Sequence, residues 1–200
     1  MVKIKSIKGI FLVLIFLTLS PISYANVLTN PGFESGEDSW YNWDDGNGTN
    51  SGVISGEYIH EGQSSAGKEI SGLGSGAFGQ IIPVNPGETV KVSAWIMSPD
   101  SGVLSNGAEA YVRIEFWDGM APLGSGHAES IRINKATKWV KLKASGKAPS
   151  GATEARVLGF ARGSTNESKG KVYFDDFEVN IEKQSQKRKG GEKYEKVTSN

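Results

Sequence analysis

Short segments of alternating apolar and polar residues, separated by stretches rich in glycine and turn residues, constrain this chain most strongly. Residues 89–97 and 110–117 alternate with a period of two, which is the period of a β-strand with one buried face. No stretch of ten or more residues shows a clean helical period, and glycine accounts for 26 of the 200 residues. The pattern predicts an all-β fold, either a sandwich or a barrel.

The alternation separates a core face from a second face in both of these strands. The residues predicted to face the core are Val90, Val92, Ala94, Ile96, Val112, Ile114 and Phe116. The opposite face of residues 110–117 carries Tyr111, Arg113, Glu115 and Trp117, and that of residues 89–97 includes Trp95. Aromatic and charged side chains at alternate positions are typical of a sheet surface that faces a ligand.

Further strands are predicted on the same grounds. They are residues 53–59, a strand ending at Ile70, and residues 77–84, 130–133, 138–145, 154–162 and 171–179. Residues 72–79 are predicted to be a flexible glycine-rich loop, and they lack the lysine and the following helix of a phosphate-binding loop.

The first 25 residues have the organisation of a secretory signal peptide. Three lysines precede an apolar run at residues 10–19, and Ser23-Tyr24-Ala25 supplies small residues for cleavage. The run is shorter than the roughly 20 residues that a membrane span needs, so an uncleaved anchor is the weaker alternative. We therefore expect a secreted or cell-surface protein, with one domain at residues 26–180 and no membrane span after cleavage. Residues 181–200 are predicted to be a disordered charged tail.

Charge and cysteine content narrow the range of partners. Residues 26–180 hold 13 Lys and Arg against 19 Asp and Glu, and the chain contains no cysteine. A mildly acidic domain without a basic patch argues against nucleic acid as a partner. An exported domain without disulfides needs a sufficient core or another stabilising element, such as a metal.

Acidic residues occur at two positions that favour a bound cation or a buried donor. Asn30-Pro31-Gly32 has turn chemistry, so Phe33 is predicted to point inward and Glu34 outward on a rigid support. Asp175 and Asp176 lie inside an apolar strand, where two carboxylates are costly unless one is exposed and the other is paired or metal-bound. The alternative for Glu34 is a surface carboxylate that follows a tight turn.

Three ordered motifs carry a family resemblance. They are Asn30-Pro31-Gly32-Phe33-Glu34 followed by Trp40, Val84-Asn-Pro-Gly-Glu followed by Val92-Ser-Ala-Trp95, and Val172-Tyr-Phe-Asp-Asp-Phe177. His60-Glu61-Gly62 and Trp139 also fit the group. In this order and spacing, over roughly residues 26–180, the chain resembles secreted carbohydrate-binding modules of the family 4, 9 and 22 type.

The resemblance implies a jelly-roll β-sandwich of two antiparallel sheets, with a sugar site on a concave face or a loop rim. It also implies a structural calcium that joins the N-terminal segment to the last strand. Carried over to this sequence, Glu34 and Asp175 are ligands, and carbonyls from Gly32 and from the segment around Glu57 complete the shell. Calcium takes about six to eight oxygen ligands. The alternative is that both acids are only hydrogen-bonded at the surface.

The resemblance further implies a polysaccharide or oligosaccharide partner. Sugar rings stack on Trp and Tyr, while Arg and Glu bind hydroxyl groups. We expect Trp95, Tyr111, Arg113, Glu115 and Trp117 to share one sheet face, because we expect adjacent strands to carry them. Trp40 and Trp43 form either a sugar platform or a lid over one end of the core, and the lid is favoured for Trp40.

Two other classes of function stay open. A jelly-roll polysaccharide lyase would use Tyr111, Arg113 and His127, and a glycosidase would need a partner for Glu115, the one strong acid on the candidate face. A structural or adhesive protein would use its basic tail to contact an anionic cell surface. The residues favour a monomeric, non-catalytic binding module, and they do not identify the glycan.

Overall fold

The computed structural model describes residues 25–47, 52–124 and 127–183, and in these residues the chain forms ten β-strands and one short 3-10 helix. The strands are β1 Tyr41–Asp44, β2 Gly52–Ser55, β3 Ser65–Ser71, β4 Gly74–Pro83, β5 Thr89–Met97, β6 Ala108–Trp117, β7 Ala128–Glu129, β8 Val140–Lys147, β9 Glu154–Gly163 and β10 Lys169–Glu182, and the 3-10 helix is Asp100–Gly102. The predicted strand at residues 89–97 coincides with β5. Strand β10 continues two residues into the predicted tail, of which residues 184–200 lie outside the described residues, as do residues 1–24 of the predicted signal peptide.

The strands form two five-stranded antiparallel sheets. The front sheet has the order β1-β4-β9-β6-β7, and the back sheet has the order β2-β3-β10-β5-β8. The predicted two-sheet antiparallel jelly-roll β-sandwich is confirmed. Among the described residues, none belongs to a helix with the length and apolar character that a membrane crossing requires.

The two sheets enclose one main hydrophobic core between their inner faces. All seven residues predicted to face the core from residues 89–97 and 110–117 are at most 2% exposed. The inward residues of β9, Ala155, Val157 and Ala161, are fully buried against them. The alternate residues of β6 and β9 therefore point to the outer surface of the front sheet.

The predicted glycine-rich loop at residues 72–79 is wrong. Strand β4 begins at Gly74 and pairs with β9 without interruption from Gly74 to Pro83. A side chain at Gly79 would place its Cβ 2.5 Å from the ring of Tyr41 and 2.6 Å from the side chain of Leu158. Glycine therefore serves close approach between neighbouring strands here, rather than flexibility.

A β-bulge interrupts β10 within its pairing with β5. The register shifts between Asp175 and Glu178, and Asp176 has a positive φ of 46°. Because the bulge adds a residue, Phe174 and Phe177 both face the core, at 0% and 1% exposure. The two aspartates between them are thereby placed on the outer side of the back sheet.

The N-terminal segment is bound directly to β10. The backbone N–H of Phe177 donates to the carbonyl of Pro31 at 3.0 Å, and that of Val27 donates to the carbonyl of Val179 at 3.2 Å. Phe33 is fully buried, and its ring lies 4.6 Å from that of Trp40. Trp40 is only 6% exposed and donates its indole N–H to the carbonyl of Asn30, so the predicted lid is confirmed for this residue.

Candidate functional site

A groove crosses the outer surface of the front sheet. It encloses a volume of about 240 Å³ and is lined by Tyr41, Trp43, Ala77, Arg113, Glu115, Trp117, Arg156, Leu158 and Phe160. We call it the front groove. Its residues come from β1, β4, β9 and β6, which are neighbours in the sheet, and each points outward because inward and outward side chains alternate along a strand.

Strand β1 forms one wall of the front groove. Trp43 is 44% exposed, and its ring centroid lies 6.2 Å from that of Phe160. Tyr41 is half-buried beside it, and burial raises the pKa of its hydroxyl to about 12. The phenol therefore stays protonated over the physiological range and can donate a hydrogen bond.

Trp117 forms the opposite wall, at the end of β6. The guanidinium of Arg156 covers one face of its indole ring, and the indole N–H donates to Glu115 Oε2 at 3.2 Å. Arg156 is itself paired with Glu154 at 3.1 Å. These contacts hold the ring in one orientation and leave its other face as the surface for stacking.

Charged groups of β6 line the groove beside Trp117 and are paired with neighbouring charges. Arg113 Nε lies 3.0 Å from Glu115 Oε1, and Arg113 Nη1 lies 3.7 Å from Glu129 Oε1. The first contact has the distance of an ion pair without the alignment of a hydrogen bond, since Arg113 Nε has no hydrogen-bond partner among the described residues. The groove thus offers donors and acceptors with little net charge, which suits a neutral polyhydroxyl ligand.

Tyr111 lies on the predicted face but is not open to a ligand. It is 1% exposed, with Phe160 stacked at 5.1 Å on its ring and the guanidinium of Arg132 at 4.6 Å. Burial raises the pKa of its hydroxyl. Tyr111 therefore supports Phe160 in the groove, and the expectation that its ring faces the ligand directly is wrong for this conformation.

Trp95 lies on the other side of the sandwich. Strand β5 pairs with β8 and β10 in the back sheet, whereas β6 belongs to the front sheet. The expectation that Trp95 shares a face with Trp117 is therefore wrong. Trp95 instead stacks on His60 at a centroid distance of 4.1 Å, and Trp139 meets the same imidazole edge-on at 5.6 Å.

The segment around His60 covers an acidic cluster beside the bulge in β10. Asp175 is fully buried, and its Oδ2 accepts the backbone N–H of His60 at 2.9 Å. Burial raises the pKa of Asp175 to about 6, so placing a charged carboxylate here is costly. His60 Nδ1 lies 2.6 Å from Asp176 Oδ2.

Three of the four predicted metal ligands meet at this cluster. Glu34 accepts the backbone N–H groups of Gln63 and Ser64, and a Cβ at Gly32 would lie 3.3 Å from Asp176 Oδ1 and 3.5 Å from Asp175 Oδ1. Glu57, the fourth, instead accepts a hydrogen bond from the hydroxyl of Tyr173 at 3.3 Å. The sequence analysis missed the ligand atoms of His60, Glu61 and Asp176, which all lie within 4.8 Å of one another.

The donor set fits a hard cation. Carboxylate oxygens from Glu61 and Asp176 converge beside the buried Asp175, and a bound cation would offset the cost of ionising Asp175. The backbone hydrogen bonds to Glu34 and Asp175 also fit the alternative of hydrogen-bonded acids without a metal.

The residues considered for catalysis do not form a matched set. Tyr111 is buried, His127 is exposed, and Glu115 is engaged by Arg113. Within the part of the chain that the structure describes, the front groove is thus a surface that combines open aromatic rings with paired charges.

The sequence of residues 25–166 matches the family described as carbohydrate binding domain, CBM_4_9. No curated protein matches the chain.

Solved structures with the same fold include two carbohydrate-binding modules and a bacteriophage protein. The CBM22-1 xylan-binding domain of Paenibacillus barcinonensis Xyn10C is 18% identical, with a TM-score of 0.56 over 77% of this chain and 93% of that chain. TmCBM61, solved in complex with β-1,4-galactotriose, is 16% identical, with a TM-score of 0.55 over 80% of this chain and 100% of that chain. The enzymatically active domain of tailspike protein 4 of bacteriophage CBA120 is 14% identical, with a TM-score of 0.60 over 78% of this chain. The match covers only 21% of the tailspike chain.

Proposed function

The chain belongs to the carbohydrate binding domain family and so has a carbohydrate-binding role. We propose that it is a secreted, non-catalytic module that binds a plant or microbial polysaccharide in the front groove. The observation that carries this proposal is the placement of Trp43 and Trp117 on opposite walls of one groove, with the Arg113–Glu115 pair on the same strand as Trp117.

The groove has the chemistry that sugar rings require. The apolar C–H face of a pyranose stacks on an aromatic ring, and its hydroxyl groups need both donors and acceptors. Trp43 is open to solvent, and Trp117 has one indole face that Arg156 does not cover. Arg113 and Glu115 supply a donor and an acceptor, and because they are paired with each other they favour a neutral glycan over a charged one.

The structural neighbours are consistent with this choice of ligand class. One is described as a xylan-binding domain and another was solved with β-1,4-galactotriose, both sugar ligands of the kind proposed here. At 18% and 16% identity these neighbours share only the fold, so the choice among polysaccharides needs a direct measurement.

Retention on polysaccharides tests the proposal. The purified protein is run through native gels that contain xylan, β-glucan, galactan or no polysaccharide, and we expect retardation by at least one glycan. Trp43→Ala should lose this retardation, whereas Trp139→Ala removes the same kind of side chain next to His60, outside the groove, and should keep it. Release of shortened products would instead show an enzyme, and binding to cells without retardation by any glycan would favour an adhesive protein.

We also propose that a structural calcium ion binds at the acidic cluster. Asp175, Asp176, Glu34 and Glu61 would hold it, together with the carbonyl of Gly32, and the ion would supply positive charge to a buried carboxylate. Direct backbone hydrogen bonds already join the N-terminal segment to β10, so the ion would reinforce an existing contact. The support for this proposal is the burial of Asp175 and its raised pKa.

A further inference from the structure

A buried lysine lies directly behind the wall of the front groove. Lys68 is on β3 of the back sheet, its side chain points into the sandwich, and the residue is only 1% exposed. Its ammonium lies 4.8 Å from the ring centroid of Phe78, which is fully buried. A lysine inside an apolar core is rare, because removing an ammonium from water is costly unless strong partners offset the cost.

The partners of this ammonium lie on β1. Lys68 Nζ donates to the side-chain oxygen of Asn42 and, at 3.1 Å, to the backbone carbonyl of Trp43. Asn42 points to the inner side of β1, whereas Tyr41 and Trp43 point into the front groove. The ammonium therefore binds two adjacent residues of β1, Asn42 and Trp43, from the core side of the strand.

Strand β1 has limited sheet pairing to hold it in place. It is four residues long, lies at the edge of the front sheet and, within the part of the chain that the structure describes, pairs with β4 alone. Two of its four partners there are Gly76 and Gly79, which offer no side chains for cross-strand packing. Short edge strands of this kind open readily, so an anchor from the opposite sheet has a large effect on where β1 sits.

We propose that Lys68 is a positioning residue for the front groove: its buried ammonium fixes β1, and with it Trp43 and Tyr41, in the arrangement that binds a glycan. This inference rests on the proposed function, since the groove must bind a glycan for the position of its wall to matter. It assigns Lys68 a role in affinity rather than in stability. An apolar side chain of similar length would fill the same space without the cost of desolvating a charge.

The titration of Lys68 gives this role a distinctive signature. Burial lowers the pKa of Lys68 to about 8, and the charges of Asp44 on β1 and Glu37 in the N-terminal segment oppose that effect. As the pH rises through about 8, the ammonium loses its charge and its hydrogen bonds to Asn42 and Trp43 weaken. In the unfolded chain the pKa of Lys68 has its ordinary value of 10.5. Above about pH 8, Lys68 therefore binds more protons in the unfolded chain than in the folded protein. The contribution of Lys68 to folding stability consequently rises with pH in this range. Affinity and this stability contribution should thus change in opposite directions.

Two variants test the proposal on the purified full chain. Lys68→Met keeps an unbranched apolar side chain in the core but removes the charge, and Lys68→Arg keeps a charge that does not titrate below pH 10. We measure hydrogen exchange of the backbone amides of residues 41–44, thermal stability, and affinity for a retained polysaccharide at pH 7 and pH 9.

We expect Lys68→Met to retain or exceed the melting temperature of the wild type, to exchange the β1 amides faster, and to bind about tenfold more weakly. Wild-type affinity should fall between pH 7 and pH 9, whereas that of Lys68→Arg should stay constant. Unchanged exchange at residues 41–44 together with unchanged affinity in Lys68→Met would overturn the proposal. If Lys68→Met fails to fold, the comparison of wild type with Lys68→Arg decides. The positioning role is overturned if the affinity of both proteins depends on pH to the same extent.

Hydrogen exchange separates this proposal from the proposed function. If the wild type binds no polysaccharide, the glycan-binding function fails, yet the exchange of residues 41–44 still shows whether Lys68 holds β1. Faster exchange in Lys68→Met would then support the positioning role, and unchanged exchange would remove it.

Discussion

Arg156 lies flat against Trp117, with its guanidinium carbon 3.4 Å from the centroid of the indole ring. The contact covers one face of the indole and leaves the other face without this guanidinium. Because Glu154 pairs with the same guanidinium at 3.1 Å, Arg156 and Trp117 behave as one rigid unit. A sugar that stacks on Trp117 therefore meets a ring that is already oriented for it.

Truncation of the groove tryptophans should remove binding without unfolding the domain. Trp43→Ala and Trp117→Ala each delete a stacking surface, and we expect at least a tenfold loss of affinity, the size found for well-placed aromatic contacts. Trp43 is already 44% exposed, so its removal should leave the melting temperature nearly unchanged. Isothermal titration with a retained oligosaccharide and a thermal melt provide the two readings. Full binding in both variants would move the site away from the front groove.

Replacement of Arg156 separates charge from shape. Arg156→Lys keeps a positive charge near Glu154 but loses the planar group that lies on Trp117. We expect the affinity to fall several-fold while the domain stays folded, because the indole then gains freedom that binding must restrict. Titration calorimetry compares this variant with Arg162→Lys, a conservative change on the same strand outside the groove lining. Equal affinity in the two variants would argue against pre-orientation of the ring.

The alternation of apolar and polar residues predicted many of the strands and their core faces. It did not predict which strands belong to the same sheet. The strand at residues 89–97 and its core face follow from the alternation of Val90 to Ile96, which is a local property of the sequence. Trp95 was assigned to the wrong face because the sequence does not show that β5 and β6 lie in different sheets. The glycines from Gly74 onward predicted a loop, because glycine occurs both in flexible loops and in strands where neighbouring side chains pack close to the backbone.

Most of the missed groove residues had a visible signal. Arg156, Leu158 and Phe160 alternate against an apolar face in residues 154–162, as Tyr111 to Trp117 do. Only the pairing of β9 with β6, residue for residue, shows that the two faces are one surface. Lys68 had no such signal, because an isolated lysine in a short strand looks like a solvent-facing residue until its burial is known.

Truncation of Trp95 should affect stability and leave the groove intact. Trp95→Ala removes the ring on which His60 stacks at 4.1 Å, so we expect the segment around His60 to loosen and the melting temperature to fall by several degrees. Polysaccharide retention below that melting temperature should match the wild type. Loss of retention in a folded Trp95→Ala protein would place a glycan contact on the back sheet.

Removal of calcium should lower stability if the acidic cluster binds the ion. A ligand at about 100 times its dissociation constant adds about 2.7 kcal/mol to the free energy of unfolding, which corresponds to several degrees in melting temperature. We therefore expect a chelator to lower the melting temperature and added calcium to restore it. In Asp175→Asn, which keeps the shape but loses the charge, the chelator should have no effect. An identical wild-type melt with and without chelator would eliminate the ion.

The aromatic cluster under the N-terminal lid should be a major contribution to stability. Phe177 is 1% exposed, and its ring lies 4.9 Å from Trp40 and 6.1 Å from Phe33. Phe177→Ala should reduce the free energy of unfolding by about 3–5 kcal/mol, as expected for a large aromatic residue removed from a packed core. Urea denaturation measures the change, with Val53→Ala as a control at a side chain that is 56% exposed.

The bulge at Asp176 makes the length of β10 as important as its composition. Deletion of that one residue would remove the bulge and restore regular alternation, and Phe177 and Val179 would keep their core positions. The same deletion would withdraw an aspartate from the acidic cluster. A gap of a single codon at this point would therefore leave the hydrophobic interior in place and break up the carboxylate cluster on the other side of the strand.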